Sequence, residues 1–254
     1  MLSFASIASG SNGNCYYVSD GEHAVLIDAG ISCKETERRM ARLGLKPESV
    51  NAIFISHEHA DHVVGLRVLA TKYQIPVFIN PHTLRGCKFK LPPHLICSLP
   101  SFDPVCIGDL EIVAFPKSHD AADPVSFVVE KKGYRVGVFT DIGFACEQVK
   151  SFLPLCNAVF LESNYCDDML DTSRYPYILK SRISSARGHL SNADAFSLLQ
   201  QAAGKQLSHI IFSHLSANNN HPDRVAALIS GLLPHYTTHI ASRSEESPIF
   251  SLVP

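Results

Sequence analysis

The segment AIFISHEHADH, residues 52–62, places three histidines and two acidic residues directly after an apolar run. The apolar run predicts a buried strand, which delivers these side chains into one tight turn. Burial of so many titratable groups is costly unless each is hydrogen-bonded or binds metal. The pattern therefore favours a metal site over a polar loop with incidental histidines. Imidazole and carboxylate ligands suit zinc, manganese or iron.

Further strands are predicted on both sides of this segment by short runs rich in β-branched and aromatic residues. Together with residues 52–56, they lie at residues 24–28, 77–79, 111–115, 125–130, 135–140, 158–162 and 209–213. Apolar residues with helical spacing predict helices between several of them, at residues 34–43, 63–73, 193–203 and 223–232. The proline-containing residues 84–100 are the longest predicted loop.

Several predicted strands end in a polar residue that is followed by a turn or a helix. These strand-end residues are Asp28, His57, Asp141, Glu162 and His214. The order of elements predicts an α/β protein, a sandwich of two sheets with outer helices. At 254 residues and 46% hydrophobic content, we expect one domain over residues 1–254.

The overall charge is close to neutral, with a formal net charge of −2 and a sequence pI of about 6.7. The surface as a whole is therefore unlike that of an obligate nucleic-acid binder, although a local basic groove is compatible with it. No window resembles a membrane span or a secretion signal. The eight cysteines lack C-x-x-C spacing, so we expect reduced thiols and a cytoplasmic location.

The segment HEHADH resembles the HxHxDH signature of the metallo-β-lactamase superfamily, and the remaining superfamily motifs follow in order. The resemblance implies an αββα sandwich, with two central mixed β-sheets between outer helices, and two divalent metal ions. One metal would be held by His57, His59 and His119, and the other by Asp61, His62 and His214. Asp141 would bridge both metals. Asp28 would support the site from behind the ligands.

Six further segments are together similar to the YycJ/WalJ family, whose members are regarded as metal-dependent 5′-to-3′ DNA exonucleases linked to mismatch repair. They are ASGSNGNC at 8–15, FPKSHDAADP at 115–124, LESN at 161–164, RYP at 174–176, GHLSN at 188–192 and HLSANN at 214–219. The chain departs from the family pattern in two places. Cys166 stands where an acidic residue is common, and a glycine is missing before Arg174, which concerns the local loop rather than the metal site.

The resemblance also implies functions for residues outside the metal ligands. His189 would contact the substrate phosphate or protonate the leaving group, whereas its neighbours Ser191, Asn192 and Asp194 are typical of a helix cap. Glu162 and Asn164 would support His189 or shape the loop. Contacts to substrate are expected from Asn12, Asn14, Asn164, Arg174 and Arg182. For Asn12 and Asn14 the alternative is simple turn chemistry.

Arg174, Lys180, Arg182 and Arg187 form a basic stretch that would guide a nucleic-acid backbone towards His189, with scattered solvated charge as the alternative.

The predicted function is a phosphodiesterase, a 5′-to-3′ DNA exonuclease in DNA repair, in which two metals lower the pKa of a bridging water. Asp61, Asp141 and His189 are the predicted catalytic residues. Three other classes stay open: a small-molecule phosphodiesterase acting on cyclic phosphates, a glyoxalase-type thioesterase, and a non-catalytic metal-binding interaction module. The sequence assigns no protein partner.

Overall fold

Fourteen strands form two seven-stranded sheets in the computed structural model, which describes residues 1–230 and 236–253. The first sheet contains β1 (Leu2–Ala8), β2 (Cys15–Ser19), β3 (Ala24–Ile27), β4 (Ala52–Phe54), β5 (Val77–Ile79), β6 (Ile96–Ser98) and β14 (Phe250–Leu252). The second contains β7 (Val105–Ile107), β8 (Leu110–Pro116), β9 (Val125–Lys131), β10 (Tyr134–Phe139), β11 (Ala158–Glu162), β12 (His209–Ser213) and β13 (Thr237–Ile240). The strand orders are 14-1-2-3-4-5-6 and 13-12-11-10-9-8-7.

The helices of the described residues lie in the connections between these strands. They are α1 (Cys33–Arg42), α2 (Ala60–Val63), α3 (Leu66–Tyr73), α4 (Pro81–Gly86), α5 (Glu147–Phe152), α6 (Asp167–Thr172), α7 (Tyr177–Ile183), α8 (Asn192–Ala202) and α9 (Pro222–Ser230). Short 3-10 turns cover Pro47–Ser49, Pro93–Leu95 and Leu153–Leu155. No helix in the described ranges is long and apolar enough to cross a membrane.

Alternating side chains of the central strands fill three apolar layers. In β4, Ala52 and Phe54 pack between the two sheets, whereas Ile53 faces the helices on the outer side of the first sheet. In β11, Phe160 packs between the sheets and Leu161 faces the outer helices of the second sheet. Because both faces of these strands are buried, they read as continuous apolar runs. The predicted αββα sandwich with two mixed sheets is confirmed.

Parallel strands bring their carboxyl ends to one edge of each sheet. Strands β3 to β6 run parallel in the first sheet, and β10 to β13 run parallel in the second. The two edges meet, because the Val125 N–H donates to the Ser56 carbonyl at 3.0 Å, from the start of β9 to the loop after β4. Side chains that follow parallel strands of both sheets are thus collected at one place.

The predicted secondary structure differs from the structure in several places. The helix predicted at 63–73 is two helices, because the chain approaches its neighbours closely at Gly65, whose N–H donates to the Ala29 carbonyl. The loop predicted at 84–100 contains the end of α4, a 3-10 turn and β6, which pairs with β5. Strands β1, β2, β7, β13 and β14 and helices α4 to α7 were not predicted. The helix predicted at 223–232 begins at Pro222 and is described to Ser230, so residues 231–232 lie outside the described residues.

Substitution of Gly65 by alanine is expected to destabilise the fold by about 3 kcal/mol or more. Gly65 has ordinary helical torsion angles, so helix propensity alone predicts a gain of up to about 1 kcal/mol. An added Cβ, however, would lie 1.9 Å from the Ile31 carbonyl oxygen. Chemical denaturation of the wild type and Gly65→Ala measures the sign of the change in the free energy of unfolding.

The control is Gly133→Ala in the turn between β9 and β10, where φ is +85° and an added Cβ meets nothing within 4 Å. This variant should lose only about 1 kcal/mol from its left-handed backbone. Equal stability of Gly65→Ala and wild type would contradict the close approach of Gly65 to the Ile31 carbonyl.

Candidate metal centre

Three strands continue into polar residues with a left-handed backbone at the shared edge. Asp28 follows β3 with φ of 63°, Asp141 follows β10 closely with φ of 54°, and His214 follows β12 with φ of 59°. Positive φ is uncommon for residues other than glycine and costs conformational energy. Its repetition at three strand ends of two sheets indicates that side-chain placement takes precedence over backbone relaxation there.

The HEHADH loop is anchored by main-chain hydrogen bonds to two neighbouring loops. The Asp61 carbonyl accepts from the Asn14 N–H at 2.8 Å, and the His62 carbonyl accepts from the Ala29 N–H at 2.8 Å. Gly30 lies against the same loop, since an added Cβ there would be 1.7 Å from the Asp61 carbonyl oxygen. The loop is therefore held in one conformation by its backbone, independently of any ligand.

His57, His59 and His119 form one group whose ring nitrogens all lie within 4.8 Å of one another. His119 Nε2 is 3.3 Å from His59 Nδ1, and the ring centroids of His57 and His59 are 4.6 Å apart. His57 and His59 come from the loop after β4, whereas His119 follows β8 of the other sheet. Three imidazoles from both sheets thus face a common point, as they do around a bound cation.

Asp61, His62 and His214 form a second group of the same size. Asp61 Oδ2 lies 3.5 Å from His62 Nε2 and 3.3 Å from His214 Nε2. His62 is at the carboxyl end of α2 and His214 follows β12, so this group also joins the two sheets.

Asp141 reaches both groups with a single carboxylate. Its Oδ2 is 3.1 Å from His62 Nε2, and its Oδ1 is 3.5 Å from His214 Nε2. The same Oδ1 is 3.8 Å from His119 Nε2, in the first group. The structure therefore brings together all seven residues that the sequence predicted as metal ligands, with Asp141 between the two triads.

Four of the imidazoles use Nδ1 for a hydrogen bond away from the centre. The acceptors are Asp28 for His62 (2.7 Å), the Gly188 carbonyl for His119 (3.0 Å), Glu162 for His214 (3.1 Å) and the Ser56 hydroxyl for His57 (2.9 Å). Ser56 Oγ in turn donates to Asp28 at 2.7 Å. Because each acceptor holds a proton on Nδ1, the neutral form of each imidazole presents the Nε2 lone pair to the centre, which is the tautomer a metal ligand requires.

Two buried atoms at the centre lack a hydrogen bond within the described part of the chain. They are His57 Nε2 and Asp141 Oδ2. Asp141 Oδ2 is near His62 Nε2 without hydrogen-bond geometry, as expected for two atoms that face a third rather than each other. Burial lowers the pKa of His57 well below its usual range, which keeps this imidazole neutral. These donors fit divalent cations, and the fold and the His/Asp clusters together indicate divalent metal binding.

Buried carboxylates surround the imidazoles and set their charge. Burial alone would lower the pKa of His214, but Asp141, Asp61 and Glu162 raise it to about 10. Burial would likewise raise the pKa of Asp141, but His214 and His62 hold it well below its usual range. Without metal, His62 and His214 would thus carry protons that a cation must displace, so cation binding is coupled to proton release.

His189 lies between the two groups and is partly open to solvent, with 20% of its side chain exposed. Its Nδ1 is 2.8 Å from Glu162 Oε1 and 3.6 Å from Asp141 Oδ1. Glu162 also accepts the Ile142 N–H at 2.6 Å, so the carboxylate that orients His189 is itself fixed. The predicted cap is present beside it, because Ser191 Oγ accepts the Asp194 N–H at the start of α8.

The predicted substrate contacts are divided between the interior and the surface. Asn14 and Asn164 are buried: Asn14 Nδ2 is 3.1 Å from His62 Nε2, and Asn164 Nδ2 donates to the His214 carbonyl. Asn164 therefore supports His214 from behind, whereas Asn14 lies beside the edges of His62 and Asp61 that face the centre. Asn12 and Arg174 are exposed, and Arg182 pairs with Asp120 at 2.6 Å.

Two supporting residues were missed by the sequence analysis. Ser56 ends the predicted strand and links Asp28 to His57; its signal was a lone polar residue at the end of an apolar run. Lys117 is buried, and its ammonium donates to the Thr140 carbonyl at 2.7 Å, directly before Asp141. Its signal was its place in the segment FPKSHDAADP, two residues before His119.

The fold and the site are those of a metallo-β-lactamase-type protein. The family model of the metallo-β-lactamase superfamily matches residues 8–155. The chain belongs to this superfamily. Among solved structures it resembles the metallo-β-lactamase fold protein YhfI from Bacillus subtilis, with a TM-score of 0.74 and 16% identity over 99% of this chain and 100% of that one. This likeness confirms the fold alone.

Two relatives identify the branch of the superfamily to which the chain belongs. The exodeoxyribonuclease YycJ of Bacillus anthracis is 35% identical over 240 residues, which is 91% of this chain and 89% of that protein. The exodeoxyribonuclease WalJ of Streptococcus pneumoniae is 32% identical over 85% of this chain and 82% of its own length. The YycJ/WalJ resemblance predicted from the motifs is confirmed, and the chain is a member of a hydrolase family.

Replacement of Asp28 by asparagine should weaken metal binding roughly 10- to 100-fold, because Asp28 orients both His62 and Ser56 without reaching the centre. Metal content after dialysis and competition with a chelator measure the affinity. Asp20→Asn is the matched control, since Asp20 pairs with Lys131 at the opposite end of β3. Unchanged metal affinity in Asp28→Asn, with circular dichroism showing a folded protein, would contradict this function of Asp28.

Proposed function

We propose that the protein is a 5′-to-3′ DNA exonuclease that acts in DNA repair and uses two divalent ions, zinc or manganese, with iron also suited to the donor set. The main support is one arrangement: two ligand triads share Asp141, and a partly exposed His189 faces both of them. The relatives named exodeoxyribonuclease support the choice of DNA as substrate. We place the activity in the cytoplasm, which suits a chain whose eight cysteines are all free thiols.

Each ion would be held by one triad, the first by His57, His59 and His119, and the second by Asp61, His62 and His214. Asp141 would contribute to both. When bound, the ions would supply Lewis acidity, which acidifies water and neutralises charge on the phosphoryl oxygens. The Nδ1 hydrogen bonds of His62, His119 and His214 would keep these imidazoles oriented for holding the ions.

The chain's own residues would handle the protons of phosphodiester cleavage. Asp61 and Asp141 are ionised, since neighbouring imidazoles lower both pKa values despite burial, so either can hold the proton of the attacking water. His189 would donate a proton from Nε2 to the departing oxygen. Glu162, bonded to His189 Nδ1 at 2.8 Å, would stabilise the charged imidazole before the transfer.

End-labelled DNA gives the direct test of this proposal. Purified protein with manganese or zinc is expected to release labelled mononucleotides from 5′-labelled duplex DNA at early times, and to shorten 3′-labelled DNA progressively. His59→Ala and Asp141→Ala should release none, because each removes a metal ligand. His94→Ala is the matched control, since His94 is exposed and contacts Gln74 rather than the centre.

The same preparation distinguishes the rival classes. Turnover of a cyclic phosphate ester without degradation of DNA would contradict the exonuclease proposal and favour a small-molecule phosphodiesterase. Thioester hydrolysis without loss of DNA would favour a glyoxalase-type enzyme. Metal uptake without turnover of any substrate would indicate a binding module.

The function of His189 is tested by changing the leaving group. His189→Ala should reduce kcat on DNA roughly 10²- to 10⁴-fold, because an alkoxide leaves poorly without a proton. On a p-nitrophenyl phosphodiester the loss should be about tenfold or less, since that leaving group departs as a stable anion.

Metal content of His189→Ala should equal that of wild type, which separates proton transfer from metal binding. Equal losses on both substrates would count against leaving-group protonation and assign His189 to phosphate binding.

A further inference from the structure

Helix α7 presents two large apolar side chains to solvent beside the candidate metal centre. Tyr177 is 82% exposed and Ile178 is 83% exposed, the highest values among the exposed large hydrophobic residues of the described chain. Single exposed apolar residues are ordinary, but an adjacent aromatic and aliphatic pair of this exposure is typical of a contact surface. The pair has no place in the chemistry proposed above.

The segment that carries this pair is basic, although Asp120 pairs with it and the preceding helix α6 contains aspartates at 167, 168 and 171. Residues 172–188 contain four basic side chains, at Arg174, Lys180, Arg182 and Arg187, and no acidic one. Arg182 is paired with Asp120, and the Arg187 guanidinium is 3.4 Å from the His119 carbonyl oxygen. Arg174 is exposed on the surface, and the Lys180 ammonium donates to the Asp171 carbonyl at 2.6 Å. The surface thus combines an aromatic face with cations, the composition that binds single-stranded nucleic acid.

Helix α7 is fixed to both ligand loops, so this surface has a defined position relative to the site. Arg182 bonds Asp120, which is next to His119. At the other end, the Tyr175 hydroxyl accepts from Asn218 Nδ2 at 2.7 Å, in the loop that follows His214. The Ile183 carbonyl accepts the His189 N–H at 2.8 Å.

The length of the helix gives a distance from the site in nucleotides. Six residues at about 1.5 Å rise separate Tyr177 from Ile183 by roughly 9 Å. At the axial spacing of about 3.4 Å for one strand of duplex DNA, this length corresponds to about three nucleotides, counted from Ile183, whose carbonyl accepts the His189 N–H.

We propose that Tyr177, with Ile178 beside it on the first turn of α7, provides a stacking platform for a base of the DNA strand that is being digested, about three nucleotides from the scissile phosphate. This inference rests on the proposed nuclease function. Arg174 and Lys180 would contact the phosphates of the same strand. The platform binds the bases without reading their sequence, since every base has a face that can stack.

The experiment compares Tyr177→Ala/Ile178→Ala with wild type on 5′-phosphorylated single strands of two to twelve nucleotides and on a p-nitrophenyl phosphodiester. Wild type and variant should have equal kcat/KM on the ester and on the dinucleotide, which are too short to reach α7. On strands longer than about five nucleotides the variant should lose roughly tenfold or more, mainly in KM. Tyr177→Phe should retain wild-type values, because stacking needs no hydroxyl group.

Salt dependence separates stacking from charge. Lys180→Ala should reduce the magnitude of the negative slope of log affinity against log salt by roughly one. The Tyr177→Ala/Ile178→Ala variant should leave this slope unchanged. Leu155→Ala is the matched control; Leu155 is 42% exposed and precedes β11, at the opposite end of the strand from Glu162. It should behave as wild type on every substrate.

The outcomes separate this inference from the proposed function. A wild type that hydrolyses the ester but no DNA of any length overturns the nuclease function and the platform with it. A wild type that digests DNA, with a double variant equal to it at all lengths, overturns the platform alone and assigns the pair to a protein contact. A loss that is the same for the ester and for long strands also overturns it, because the effect would then be on the catalytic centre.

Discussion

Charge compensation at the shared sheet edge is the constraint on which this structure depends. Asp28, Asp141 and Glu162 are buried, and an isolated carboxylate in such a position would cost several kcal/mol. Each is compensated by imidazole or main-chain N–H groups that come from a different strand end, and in part from the other sheet. The carboxyl ends of the parallel strands of both sheets must therefore lie side by side at this edge. The left-handed backbone of Asp28, Asp141 and His214 is consistent with this, because local strain persists where surrounding contacts determine the conformation.

Much of the fold was predictable because strands buried on both faces are continuous apolar runs. The run at 52–56 and the run at 158–162 were recognised for this reason, and the polar residues that end them led to the site. Strand β1 was not recognised, because LSFASIA mixes small residues with apolar ones, although the strand is largely buried and pairs with β14 and β2. The short strand β6 was read as loop, since three residues among prolines carry too little pattern. The break at Gly65 depends on contact with Ile31, and no local pattern encodes a contact between distant backbones.

The ligand set was more predictable than the residues that orient it. The seven proposed ligands stand in a recognisable order of motifs, and the structure brings them together. Asn14 and Asn164 belong to the same motifs, but polar side chains in a motif can face substrate or interior, and only the fold distinguishes the two. Both face the interior. Ser56 was equally hard to predict. Its hydroxyl links Asp28 to His57 through hydrogen bonds, yet a serine after an apolar run is common at the ends of strands without any such function.

The segment from α7 to His189 links metal geometry to the surface that faces the substrate. The Gly188 carbonyl accepts the Nδ1 proton of His119, so the position of this backbone sets the direction of a proposed metal ligand. The next residue is His189, and the same segment carries the exposed side chains of α7. Gly188 itself leaves no room for a side chain, because an added Cβ would lie 2.1 Å from the Ile183 carbonyl oxygen. A strand bound along α7 would therefore lie on the same stretch of backbone that orients His119 and carries His189, so the surface for the substrate and the orientation of a proposed ligand depend on one segment.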